Sequence, residues 1–310
     1  MTDGPAIYGY DLFGDAIKPK ASGIVAKRFG FPPFSLLDAR AGVWQDRRRA
    51  WLSIGLESEI GRDATIKFSS SFADRVSILP ESGERVSIFD PVLCEMAYRW
   101  FCPPGGQIVD PFAGGSVRGI VAAALDRDYW GGDVRLRQIE ANRVQAEAID
   151  LPRTPIWVVG DSVSTLLDAP EADFVFSCPP YADLEVYSDD PTDLSTMPRP
   201  EFLDVYRFII ARAASRLANN RFAAFVVGDV RYGKQGAYRG LPAATIDAFE
   251  DAGLRLYNDA VLMQSVPTAG MRAPRLFSAT RKLVTTHQRL LVFLKGDAKA
   301  AVSVCGEVQL

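Results

Sequence analysis

Four short stretches carry residues whose types and spacing could do chemistry. "VDPFAGGSVRG" sets Asp110, Pro111, Phe112, Ala113, Gly114, Gly115 and Ser116 at the end of an apolar run and directly before a segment of helical period. Its glycines let the backbone pass close to a ligand, and Asp110 can accept a hydrogen bond from an ammonium or hydroxyl group. Asp133 closes "YWGGDV" in position to take ribose hydroxyls, and Asp161 and Ser162 close "IWVVGDS", where an adenine could be held. The phosphate-binding pattern GxGxxG is not met, and no Walker lysine follows the glycines. The fourth stretch, "FSCPPYADLEVY", ends an apolar run with Ser177, Cys178, Pro179, Pro180 and Tyr181 before turning acidic. Two prolines fix the backbone and remove two N–H donors, so a strand would stop rigidly there with its carbonyls aimed into a pocket. Tyr181 offers a flat aromatic face on which a planar ligand could stack. Cys178 has two readings, a nucleophile or a small buried hydrophobe.

These residues sit at the ends of elements that alternate in type. "GQIVDPF" (106–112), "YWGGDV" (129–134), "IWVVGDS" (156–162) and "ADFVFSCPP" (172–180) are short apolar runs closed by Gly, Asp or Pro, as buried strands are. "SVRGIVAAAL" and "RLRQIEANRVQAEAI" between them repeat their apolar positions at helical spacing. The pattern predicts a mostly parallel sheet with helices on both faces, whose ligands bind beyond the carboxyl ends of the strands. "PEFLDVYRFIIARAASRLANN" and "LPAATIDAFEDAGL" read as further helices; "RFAAFVVGDV", "LRLYNDAVLMQ" and "QRLLVFLKG" read as further strands. One α/β domain therefore covers 88–297, with a basic insertion at 264–286. Residues 1–87, of less regular period, read as an N-terminal extension or a subdomain that could contact a nucleic acid, and 298–310 as a tail.

The chain has 310 residues, 48% hydrophobic and 24% charged, which is the balance of a soluble globular protein. No window approaches the roughly 18 consecutive apolar residues of a membrane span, and the acidic start lacks a signal peptide's pattern, so a cytoplasmic location without membrane contact is expected. Four cysteines without a CxxC pair and one histidine, His287, give too few closely spaced ligands for a structural metal. A net charge of −3 argues against a basic coat, so any nucleic-acid contact must lie in patches. Two candidates stand out. Arg47, Arg48 and Arg49 lie between Trp44 and Trp51, and "MRAPRLFSATRKL" carries Arg272, Arg275, Arg281 and Lys282. Trp44, Trp51, Phe31 and Phe34 read as packing residues, and His287 as structural.

"DPFAGGS" and "SCPPY", at the ends of the first and fourth strands of the domain, resemble the cofactor motif DPFxGxG and the catalytic motif (D/N/S)PP(Y/F/W) of the S-adenosylmethionine-dependent DNA methyltransferases. "SIFDPVLCEMAYRWFCPPGGQIVDPFAGG", with Phe89 and Asp90, is similar to their cofactor-flanking segment, and "HQRLLVFLKGD" to their closing strand. The resemblance covers about residues 86 to 297, and the whole chain resembles the DNA methylases of bacteriophages and their hosts. It implies a Rossmann-like class I methyltransferase fold with an antiparallel last strand, S-adenosylmethionine as cofactor, and DNA, in preference to RNA, as partner. The oligomeric state is open between monomer and homodimer.

Two positions depart from the pattern. Ser116 stands where the cofactor motif has its second glycine, and Cys178 stands where the catalytic motif has Asp, Asn or Ser. In amino-methylating relatives that residue and the carbonyl between the prolines accept hydrogen bonds from the exocyclic amine of adenine or cytosine. A thiol is a weak acceptor, so either Ser177 and the backbone do this work or Cys178 does another. The other work would be attack on cytosine C6 to permit methylation at C5, although in C5 enzymes the proline precedes the cysteine. An RNA methyltransferase and an inactive cofactor-binding relative are the further alternatives.

Overall fold

The structure, a computed structural model, describes residues 23–56, 89–180, 194–231, 236–308 and 310. In chain order its elements are α1 (Ile24–Phe29), β1 (Leu36–Asp38), α2 (Gly42–Ser53), α3 (Pro91–Phe101), β2 (Gln107–Asp110), α4 (Val117–Ala124), β3 (Asp128–Asp133), α5 (Leu136–Glu147), β4 (Ile156–Val159), α6 (Ser162–Thr165), β5 (Ala172–Ser177), α7 (Arg199–Arg216), β6 (Leu217–Val227), α8 (Leu241–Asp251), β7 (Arg255–Met263), α9 (Ala269–Thr280), β8 (His287–Lys295) and α10 (Ala298–Cys305).

The eight strands form one sheet in the order β1-β7-β8-β6-β5-β2-β3-β4. Only β8 runs antiparallel to its neighbours, β6 and β7; the other pairs are parallel. This is the Rossmann-like class I methyltransferase arrangement, with β1 as an added edge strand. The chain winds from β2 outward through β3 and β4, then returns to β5 on the other side of β2 and winds away through β6. The point of reversal lies between Asp110 and Ser177, the carboxyl ends of adjacent strands, where ligands of open α/β sheets bind.

Period-2 alternation splits the core into two layers. Ile108, Phe174, Phe176, Phe222 and Ala224 pack under α3 and α4, while Val109, Val175, Ala223, Phe225 and Phe293 pack under α7 and α8. Both faces are covered, which explains why these strands read as continuous apolar runs. Among the described residues no helix is long and apolar enough to cross a membrane.

The described part of the N-terminal extension is built into this sheet. Leu36–Asp38 pair with Val261, Leu262 and Met263 of β7, and α2 lies on α3. The tail likewise holds a helix, α10, capped by Asp297, whose side chain accepts from Ala300 N–H at 2.9 Å; Ala301 and Cys305 are its buried face. Trp44 and Trp51 are core residues, and Phe31 lies 4.9 Å from Trp44 by ring centroids. Phe34 instead is exposed, and so is His287, at the start of β8.

Arg47 corrects the reading of the arginine triplet as a phosphate contact. It is 2% exposed and donates bidentately to Glu95, from Nη2 at 2.8 Å and Nε at 3.0 Å. Trp51 Nε1 donates to the same carboxylate at 2.9 Å, and Arg99 at 3.0 Å. Burial alone would raise the Glu95 pKa, but the Arg99 and Arg47 guanidiniums outweigh it and hold the carboxyl below its ordinary 4.5. The stability this contributes is present above pH 4.5 and is lost as pH falls through the depressed folded-state value. Arg49 is exposed and paired with Asp46 three residues back. Urea titration of Arg47→Ala should show a loss of about 3–5 kcal/mol, the cost of breaking a buried pair, whereas Arg49→Ala should stay within about 0.5 kcal/mol.

Candidate functional site

The site is built outward from the Asp110 side chain, which is 0% exposed at the end of β2. Four donors occupy it. Arg118 Nε donates to Oδ2 at 2.6 Å and the Tyr129 hydroxyl to the same oxygen at 2.7 Å; Phe112 N–H donates to Oδ1 at 3.1 Å, joined there by the Ser177 hydroxyl. A carboxylate has about four acceptor sites, so none is left for a ligand. The expectation that Asp110 meets an ammonium or hydroxyl group of a ligand is therefore corrected: its partners are α4, β3, β5 and its own turn. Burial alone would lower the Arg118 pKa, but the facing Asp110, with Tyr129 and Cys178 in electrostatic reach, holds it above the ordinary guanidinium value. Burial pushes the Tyr129 phenol well above its usual range, so it stays a neutral donor.

Glycines make this cluster possible. A Cβ on Gly131 would lie 2.7 Å from the Tyr129 hydroxyl, and one on Gly119 would lie 2.5 Å from the Trp157 ring. Bare backbone at both positions lets Tyr129 lie along β3 and reach Asp110.

The turn from Pro111 to Gly114 is clamped at every carbonyl. Ser162 donates to Pro111 O, Arg118 Nη2 to Phe112 O and to Ala113 O (2.8 Å), and Asn142 Nδ2 to Gly114 O at 2.8 Å. Its amides are held too, Ala113 N–H by Gly132 O at 2.9 Å and Gly114 N–H by Asp133 Oδ2 at 2.9 Å. Ser116 is buried with its hydroxyl on Gln145, and Gln138 donates to Asn142 at 2.9 Å. Ser116 thus ties the turn to α5 where the methylase pattern has a glycine. Gly114 adopts φ +51°, and nothing approaches its missing Cβ closer than 3.9 Å. That face of the turn is open backbone.

S-adenosylmethionine fits what the described strand ends offer. Asp133 accepts Gly114 N–H on Oδ2 and Arg135 N–H on Oδ1, with the Arg135 Nε 3.5 Å from Oδ1, which leaves acceptor capacity for a ribose diol chiefly on Oδ2. Asp161 caps α6 through Val163 N–H at 2.7 Å and holds Ser164, and it retains a lone pair on each oxygen for an amine donor. Asp90 caps α3 and accepts from Trp44 Nε1 at 2.9 Å; burial raises its pKa above the ordinary value against these donors. Phe89 stacks under Arg118, 4.6 Å from the guanidinium carbon.

β5 brings the second half. Ser177 is fully buried; its hydroxyl donates to Asp110 and accepts from Phe112 N–H at 3.2 Å. This corrects its assignment as an acceptor for a substrate amine and makes it the tie between lip and turn. Cys178 is half-buried against the core, Pro179 is buried and Pro180 half-buried. Tyr181 lies outside the described residues, as do Asp183, Glu185, Asp189 and Asp190.

The basic candidates sit on other elements than the turn. Arg48 is half-buried beside Asp90, and Arg272, Arg275 and Arg281 are exposed on or just after α9, with Lys282 half-buried behind them. Arg118, Tyr129, Gln138, Asn142 and Gln145 were not singled out as site residues. A lone arginine in the otherwise apolar "VRGIVAAA" is a signal that could have found Arg118; nothing in the sequence flags the others.

No family model matches the chain, and no curated protein matches its sequence. Among solved structures, TrmN from Thermus thermophilus is similar over 67% of this chain and 49% of its own, so the chain spans about half of that protein, at 17% identity and a TM-score of 0.46. Magnesium protoporphyrin IX methyltransferase from Synechocystis PCC 6803, with bound SAH, is similar over 74% of this chain and 95% of its own, at 13% identity and 0.46. A candidate DNA modification methylase, also from Thermus thermophilus, is similar over 44% of this chain and 51% of its own, at 21% identity and 0.33. Likeness at this level concerns the fold alone and says nothing of substrate or residues.

The buried pair has a measurable coupling. Arg118→Met should cost about 3–5 kcal/mol because it strands the Asp110 charge. The double variant with Asp110→Asn should be more stable than the sum of the single losses implies, by about 0.5–3 kcal/mol in a denaturant-based cycle. Additive losses would show that the two side chains act independently.

Proposed function

We propose that the chain is an S-adenosylmethionine-dependent methyltransferase acting on a base of DNA, with an exocyclic amine, adenine N6 or cytosine N4, as the acceptor. One observation carries the reading: the clamped glycine turn after β2 and the Cys178-Pro179-Pro180 lip after β5 meet at the reversal point of the sheet, tied by the Ser177 hydroxyl on Asp110. Binding and acceptor halves of a transfer site must face each other at fixed distance, and this tie fixes it.

When bound, S-adenosylmethionine supplies a methyl group on a sulfonium whose departure leaves a neutral thioether. Asp133 would take the ribose hydroxyls, Asp161 an amine hydrogen of the adenine, and the open face of Gly114 the chain between them. On the acceptor side, the Pro179 carbonyl accepts one hydrogen of the base amine and turns the nitrogen lone pair away from the lip. Pro180 supplies no N–H, so no donor competes for that carbonyl's direction. Nitrogen gains the methyl carbon and releases its proton to water. No histidine or carboxylate is required at the nitrogen, since positioning supplies much of the rate. The target base must leave the duplex first, at a cost of about a few kcal/mol.

A second reading has one observation in its favour. Cys178 lies in electrostatic reach of the Arg118 cation, and its place on the lip after β5 is one from which a sulfur could attack cytosine C6. Asp110 already neutralises that cation at 2.6 Å, so the amine reading is preferred. Nucleoside mass spectrometry on DNA and RNA incubated with isotope-labelled S-adenosylmethionine separates them. Labelled N6-methyladenine or N4-methylcytosine in DNA is expected, retained or raised in Cys178→Ser, since a hydroxyl accepts at least as well as the thiol it replaces. Labelled 5-methylcytosine that disappears in Cys178→Ser makes the cysteine a nucleophile. Label in RNA alone moves the substrate to RNA, and no label on either polymer overturns the enzymatic reading.

A further inference from the structure

We propose that α9 and the segment after it form the docking surface for duplex DNA beside the base pocket, an inference that rests on the transfer reading above. The chain is acidic overall, yet from Asp259 to Asp297 it contains no intervening Asp or Glu. Arg272, Arg275, Arg281 and Lys282 fall in that window. Asp259 itself is engaged by Arg289, and Asp229 accepts from Gly240 N–H at 2.9 Å. The local field is positive where a phosphate backbone would lie.

Among the described residues the helix is also loosely packed. None of its residues is buried, and it carries Pro274 in its interior. An internal proline and the lack of a buried residue keep the helix's own contribution to folding small. It exposes apolar surface among its cations: Met271 is 73% exposed, Phe277 43%, and Leu283 behind it 68%. The Arg281 guanidinium lies 5.3 Å over the Phe277 ring, and Arg231 lies 3.7 Å over the exposed Tyr238. Arginine paired with exposed aromatics offers both phosphate contact and a stacking face.

Topology places this surface at the catalytic edge. β7 runs parallel to β6 and hence to β5 and β2, so α9 leaves the sheet at the edge where Asp110 and Ser177 end. Three strand spacings separate β7 from β5, roughly 14 Å, within reach of one bound duplex. The connection after β6 joins the surface: the Lys282 side chain fills the space that a Cβ on Gly236 would take, and Tyr238 shares a 3.2 Å hydrogen bond with Thr285.

The test is fluorescence anisotropy of a labelled duplex with the full chain, without cofactor, across a salt series. The triple variant Arg272→Gln, Arg275→Gln, Phe277→Ala should bind about tenfold or more weakly, and its log–log salt slope should flatten by about 1 per removed phosphate contact. Arg153→Gln, beside β3 and paired with Asp126 and Asp128, should bind like the parent. Unchanged affinity and slope in the triple variant overturn the proposal. So does tighter binding of duplex RNA, or binding of phosphatidylserine vesicles without binding of DNA. Duplex binding that responds as expected while no methyl group is transferred would sink the enzymatic reading and leave the docking surface standing.

Discussion

The Asp110–Arg118 ion pair is the constraint on which the rest of the site depends. Taking two charges out of water is costly, and the cost is offset only when geometry is close and every remaining polar site is filled. Here the filling is done by groups from separate elements: Tyr129 from β3, Ser177 from β5, and the Phe112 amide and the Phe112 and Ala113 carbonyls from the turn itself. The requirement to satisfy one buried carboxylate and one buried guanidinium therefore holds β2, β3, β5 and α4 in a single relative arrangement. The binding turn and the prolyl lip inherit their separation from it.

That cluster could not exist with ordinary side chains around it. Gly119 and Gly131 are empty where Trp157 and the Tyr129 hydroxyl pass. Alternate strand residues fill the two apolar layers, so the polar atoms are confined to the carboxyl edge. The rigid part of the molecule thus ends where chemistry begins. α9 presents the opposite balance, with cations and apolar groups and no buried residue. On the reading proposed above, a fixed transfer site beside a weakly anchored, basic helix divides the work of holding a duplex from that of positioning one base.

The sheet was legible because its strands obey simple patterns: apolar runs closed by Gly, Asp or Pro, with helical period between them. β1 escaped notice because three residues at an edge carry no period. The tail helix could have been read from Asp297 as a cap and from Ala301 and Cys305 one turn apart. Arg47 was misread because a triplet of arginines looks alike whether it faces water or a carboxylate 48 positions later; only the fold brings Glu95 to it. Asp110 and Ser177 stand out in the sequence as polar residues closing apolar runs, which points their chemistry at a ligand. They face each other instead, across 67 positions of sequence, and no local pattern encodes that.

The claim that these strand ends bind S-adenosylmethionine is tested most directly by calorimetric titration of the cofactor into the full chain and into Asp133→Ala. Saturable one-to-one binding by the parent, with affinity reduced about tenfold or more when the diol acceptor is removed, is the result this account predicts. No heat with the parent, or binding that Asp133→Ala leaves untouched, would contradict it.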